Sequence, residues 1–106
     1  MKPIMFAGNS LEDIRNFPAE ARRAVGFELT FVQQGLDPSD WKPMKTVGPG
    51  VKEIRIHVLG EWRVLYVAKF ADAVYVLHGF QKKTQKTCKE DIELAQRQYH
   101  GIGDKK

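Results

Sequence analysis

Between Lys52 and Phe80 the chain offers three strand patterns in succession, separated only by Gly60-Glu61 and Ala71-Asp72. Connections this short leave no room for a crossover, so neighbouring strands must run antiparallel. In the first, Lys52 to Leu59, the aliphatic Ile54, Ile56 and Val58 alternate with Glu53, Arg55 and His57, which places carbon on one face and charge on the other. The second, Trp62 to Phe70, is apolar on both sides over Val64-Leu65-Tyr66-Val67, as suits a central strand covered on both faces. The third, Ala73 to Phe80, completes a meander.

The remaining segments supply helices to cover it. Ile4 to Ala7 reads as a short first strand, ended by Gly8-Asn9. Ser10, with Asp13 three residues on, has the form of a capping box opening a helix whose apolar stripe is Leu11, Ile14 and Phe17. Pro18 restarts the chain. Ala21, Val25, Leu29 and Val32 then recur at spacings of four and three, predicting a helix from Pro18 to Gln34 that stops at Gly35. Leu36 to Gly50, broken by Pro38, Pro43 and Pro49, reads as a long loop with a short strand at Met44 to Val47. Thr87 and Glu90 form a second capping box. The helix after them carries Ile92, Ala95 and Tyr99 on one face, with Gly101 as its stop and a fraying tail from Gly103 to Lys106. The expected architecture is α+β: a helical hairpin packed on a small, mainly antiparallel sheet, plus a C-terminal helix. At 106 residues, with no internal repeat, residues 1–106 are expected to form a single domain.

Charge is distributed unevenly. The chain has a formal net charge of +4. From Trp41 through Thr87 there are nine basic residues against Glu53, Glu61 and Asp72, an excess of six in fewer than half of the residues. Phosphate is a natural partner for such a surface. Several other classes are excluded. Cys88 is the only cysteine, so an internal disulfide and a cysteine metal cluster are ruled out, consistent with a reducing cytoplasm. The N-terminal apolar run is too short for a signal peptide, and no stretch approaches a membrane span. There is no phosphate-binding glycine loop. His57, His78 and His100 are too scattered for a recognisable metal site.

What remains is a set of cations, imidazoles and aromatics around one sheet. Arg55 and His57 share a strand face, Arg63 lies across a hairpin turn from them, and His78 shares a face with Phe80. Lys82, Lys83 and Lys86 follow the third strand, and Lys45 lies in the long loop. Metal-free RNA cleavage needs these residue types: cations to offset charge on the phosphoryl oxygens, a group to move protons, and aromatic rings such as Phe80, Tyr66 or Trp62 to stack a splayed base. Each residue also has a plainer reading. Arg55 could pair with Glu53 or Glu61, His57 could be solvated, and His78 could be a buried, hydrogen-bonded histidine. Trp62 and Tyr66 could belong to the core, and the lysines could form a solvated strand exit. The residues alone specify a basic α+β domain with an anionic partner.

Four stretches, in order, resemble a known family: Asp40-Trp41-Lys42-Pro43-Met44-Lys45; Gly50-Val51-Lys52-Glu53-Ile54-Arg55-Ile56; Trp62-Arg63-Val64-Leu65-Tyr66-Val67-Ala68; and Val74-Tyr75-Val76-Leu77-His78-Gly79-Phe80-Gln81-Lys82-Lys83-Thr84. Together with Gly8-Asn9-Ser10-Leu11 and Arg15-Asn16-Phe17-Pro18 they resemble the phage-derived Gp49-like family, a HigB-like branch of the RelE/ParE toxins. That resemblance implies a RelE-like fold. It also implies a toxin held by a cognate antitoxin, commonly a helix-turn-helix protein, and a metal-independent, ribosome-dependent endoribonuclease that cuts mRNA without a cofactor. The alternative within the superfamily is a ParE-like, non-enzymatic inhibitor of DNA gyrase. Carried over by position, Arg55, Arg63, Lys82 and Lys83 are the expected phosphate-stabilising residues and His78 the expected acid or base. Lys45, His57, Tyr66, Phe80 and Lys86 are the expected RNA contacts. Glu53 departs from the RelE pattern, which often has lysine there.

Overall fold

The structure is a computed structural model that describes the backbone of residues 1–105 and side chains through Gly103. Five strands, β1 (Ile4–Phe6), β2 (Trp41–Pro43), β3 (Val51–Ile56), β4 (Trp62–Val67) and β5 (Val74–Gln81), form one sheet in the order β1-β5-β4-β3-β2. β1 runs parallel to β5, and the other three pairings are antiparallel. Helices α1 (Ser10–Arg15) and α2 (Ala19–Gln33) precede β2, and α3 (Lys89–Lys105) follows β5. This is the expected α+β architecture with a RelE-like arrangement. Among the described residues, no helix is long and apolar enough to cross a membrane.

Strand alternation divides the core in two. Ile54, Ile56, Trp62, Val64 and Tyr66 pack against Ile14 and Phe17 and against Ala21, Val25, Leu29 and Val32 of α2. Val51, Leu65, Val67, Leu77 and Phe80 face the opposite way, toward Met44, Val47 and the Ala95 and Ile102 side chains of α3. Both faces of β4 are therefore covered, and all six of its residues are buried, Arg63 included.

Between β4 and β5 the register shifts. Leu65 pairs with His78 and Tyr66 with Val76, so Leu77 has no opposite number. This bulge turns Leu77, His78 and Phe80 toward the α3 side and returns Gly79 to the helical-hairpin side. A Cβ on Gly79 would lie 2.7 Å from Ile14 Cγ1. Glycine there is what lets α1 lie directly on β5.

Several sequence expectations are corrected. The short strand in the long loop is Trp41–Pro43, not Met44 to Val47, which forms a turn. Ser10 does not cap α1: Asn9 holds the cap position without a side-chain bond, and the Ser10 hydroxyl donates to the Val76 carbonyl at 3.2 Å, tying the helix to the sheet. Thr87 does not cap α3 either. Its hydroxyl points to Glu53 Oε2 at 3.4 Å, and the Cys88 carbonyl accepts the first helical bonds. The helix then continues through Gly101 to Lys105, because two exposed or half-exposed glycines in one helical segment are tolerated where Ile102 packs against the core. Lys106, the last residue of the expected fraying tail, lies outside the described residues. β3 ends at Ile56 and β4 at Val67, so His57 stands just beyond its strand.

Candidate functional site

Register builds the site. Arg55 of β3 stands opposite Arg63 of β4, and Glu53 of β3 stands opposite Lys42 of β2. Residues directly opposed across a pleated pair point to the same face, so these four side chains share the α3 side of the sheet. Glu53 is fully buried. Its Oε1 lies 3.9 Å from Lys42 Nζ, 3.9 Å from Arg55 Nε and 3.7 Å from Arg63 Nε. All three separations are too long for hydrogen bonds. Glu53 Oε1, Arg55 Nε and Arg63 Nε accordingly have no hydrogen-bond partner among the described residues. One carboxylate thus gathers three cations without saturating any of them.

Lys82, just past the end of β5, adds a fourth. Burial lowers the proton affinity of its ammonium group, the Arg63 charge lowers it further, Glu53 opposes, and Lys42 and Arg55 add to the lowering. Burial is the largest cause, and the neighbouring cations that add to it describe a positive environment, which a bound anion would relieve.

A second layer of charge fixes the arginines from the rim. His57 places Nε2 2.6 Å from Asp40 Oδ2 and Nδ1 2.8 Å from Glu61 Oε1. The hydrogen bond to Asp40, then that to Glu61, raises the His57 pKa above its ordinary 6.5, which favours the protonated ring, the form that can donate to both acids. The His57 bond and then Arg63 lower the Glu61 pKa. Glu61 in turn accepts from Arg63 Nη2 at 3.1 Å, while Asp40 lies 4.0 Å from Arg55 Nη1. Arg55, Asp40, His57, Glu61, Arg63 and Glu53 close a ring of alternating sign. Arg63 is further held by the Trp62 carbonyl at 3.0 Å.

The other expected residues divide. His78 is buried and stacked on Phe80 at 5.1 Å between ring centroids. Its Nε2 bonds Asp91 of α3 at 2.7 Å, and its Nδ1 lies 3.5 Å from Asp13 of α1 with no hydrogen bond. His78 therefore faces acids from two helices rather than the cations. Phe80, opposite Arg63 in register and stacked on His78, connects the two groups. Lys45, Lys83 and Lys86 are exposed, the first in the turn after β2 and the others between β5 and α3. Tyr66 is not with the cations. It stands three residues from Arg63, an odd step that sends it to the opposite face, where it is buried in the helix-side core. Trp62 lies in that core as well, against Phe17 at 4.5 Å.

The model of the family described as phage derived protein Gp49-like matches residues 12–100. The chain belongs to the Gp49-like family. This is a HigB/RelE-like toxin family, and membership implies an antitoxin partner. No curated protein matches the chain. The matched span of the Gp49-like chain takes in Lys42, Glu53, Arg55, Arg63, Lys82 and the whole rim.

Sequence reasoning missed Lys42, Asp40 and Asp91 as site residues and gave Glu53 no role at the centre. Glu53 could have been found from its two-residue spacing to Arg55, which fixes a shared face. Lys42 was hidden by the misplaced strand. Asp91 reaches His78 only because α3 docks across β5, which no local pattern announces.

Proposed function

We propose that this Gp49-like chain is the toxin of a type II toxin–antitoxin system and acts as an endoribonuclease on mRNA engaged with the ribosome. The observation that carries this reading is the convergence of Lys42, Arg55 and Arg63 on one buried carboxylate, with Lys82 near enough to feel the charges of all four. Fixed cations in a partly desolvated site are suited to charge that develops on phosphoryl oxygens.

In the proposed reaction the 2′-hydroxyl gives up its proton to solvent water as its oxygen bonds to the adjacent phosphorus, and the bond from phosphorus to the 5′-oxygen breaks. The products are a cyclic phosphate and a free 5′-hydroxyl. Arg55 and Arg63 receive the non-bridging oxygens. Lys82, whose proton is held less tightly than an ordinary lysine's, hands a proton to the departing 5′-oxygen. The exposed Lys45, Lys83 and Lys86 contact flanking phosphates. His57 acts from the rim, keeping Asp40 and Glu61 in place beside the two arginines. The antitoxin is a helix-turn-helix protein.

Induction of the toxin without antitoxin should produce new mRNA ends bearing 5′-hydroxyl groups. Arg63→Ala and Lys83→Ala, expressed at wild-type levels, should relieve growth arrest. Intact transcripts together with trapped gyrase–DNA complexes would replace this reading with ParE-like gyrase inhibition.

A further inference from the structure

On the helical-hairpin side of the sheet, away from the cationic group, lies a cavity of about 410 Å³. Tyr66 forms part of its wall. The residue is only 1% exposed, and its hydroxyl makes no hydrogen bond to any described residue. The ring is buried but the hydroxyl is not fully enclosed, which leaves it able to meet a ligand in the cavity. Burial and then the nearby Asp37 carboxylate raise the Tyr66 pKa, so the group remains a proton donor.

Lys2 and Lys52 share the cavity with it, against the single carboxylate of Asp37, and Lys69 lines it beside Gly50 with its aliphatic stem while its ammonium turns to Tyr99 of α3. Lys52 stands directly opposite Tyr66 across β3 and β4. Each cation is held in position. Lys52 Nζ donates to Asp37 at 2.8 Å, Lys69 Nζ to the Tyr99 hydroxyl at 2.8 Å, and Lys2 Nζ to the carbonyls of Ala68 and Phe70 at 2.7 and 2.8 Å. An ammonium carries three donors, so Lys2 and Lys52 each keep at least one for a ligand. Gly50 on the same wall has φ +80°, and a Cβ there would come within 3.0 Å of Lys69 Cδ. Val32 and Leu36 add an apolar wall.

We propose that this cavity binds a small organic phosphate, with the phosphate between Lys2 and Lys52, the Tyr66 hydroxyl donating to it, and the apolar body against Val32 and Leu36. The excess of one positive charge favours an anion, and donors from separate directions suit a phosphate's terminal oxygens. The site is separate from the cationic group on the other face, and the inference does not depend on the RNA reading.

Calorimetric titration of the full chain with uridine monophosphate, and with uridine as the uncharged control, tests it. The wild type should bind the monophosphate and not uridine. Tyr66→Phe, which removes only the hydroxyl, should weaken binding by about fivefold or more. Lys2→Gln should weaken it comparably, and Arg63→Gln should leave it unchanged. Absence of binding, equal binding of uridine, or loss in Arg63→Gln with retention in Tyr66→Phe and Lys2→Gln would overturn the proposal.

Discussion

At the scale of single residues, Glu53 sets the electrostatics of the cationic face. A carboxylate with no exposure is tolerable only because three cations stand within 4 Å of it, and they crowd together only because it lies among them. Glu53→Gln keeps the shape and removes the charge. Arg63 is 5% exposed at its side chain and would be left without its buried counter-charge, whereas Lys42 and Arg55 are partly solvated. The expected cost in urea unfolding is on the order of 2–3 kcal/mol, partly recovered by added sulfate, which supplies the missing negative charge. Unchanged stability, insensitive to sulfate, would show that Glu53 does not hold the cluster.

His57 gives a prediction in pH. Its folded pKa is raised above 6.5, so its contribution to stability is complete below 6.5 and is lost as pH climbs through the raised value. The Glu61 pKa is lowered from 4.5, so its contribution is present above 4.5 and lost as pH falls through the lowered value. The rim is therefore tightest between 4.5 and 6.5. The difference in melting temperature between wild type and His57→Ala should be greatest in that window and shrink at alkaline pH. A pH-independent difference would remove the clamp.

At the scale of elements, patterns that depend on neighbours in the chain were legible and those that depend on docking were not. The Ala21, Val25, Leu29, Val32 stripe located α2 to within a residue at each end, and the alternation of Ile54 and Ile56 with Glu53 and Arg55 fixed which side chains of β3 share a face. β2 was misplaced because its three residues include a proline, tolerable on an edge strand but unlike a strand in sequence. Ser10 and Thr87 have the composition of helix caps, yet the sheet offered their hydroxyls other partners. The bulge at Leu77 left no sequence signal that alternation could register, and it decides where His78 points. Gly79 beside it is a packing requirement: Gly79→Ala should destabilise the fold by about 1–3 kcal/mol in chemical denaturation, through the contact with Ile14. A neutral result would mean that α1 can shift away without loss.

At the scale of the whole molecule, a sheet covered on both faces keeps its two polar groupings apart. The cations of β2, β3 and β4 gather on the α3 side, and Tyr66 opens to the helical-hairpin side from the same strand as Arg63. The basic character of the second half was visible in the sequence, and so was the pairing of Arg55 with Arg63 across a hairpin. The single shared carboxylate was not, because it follows from β2 joining the edge of the sheet opposite Glu53. The central claim is that these cations act together on one RNA phosphate. The most direct test is the rate at which the purified toxin cuts a translated mRNA. Arg63→Gln should lower that rate by about 10²–10³-fold, and Lys82→Arg, which keeps the charge but holds its proton far more tightly, should lower it while RNA binding persists. Wild-type rates in both variants would contradict the account.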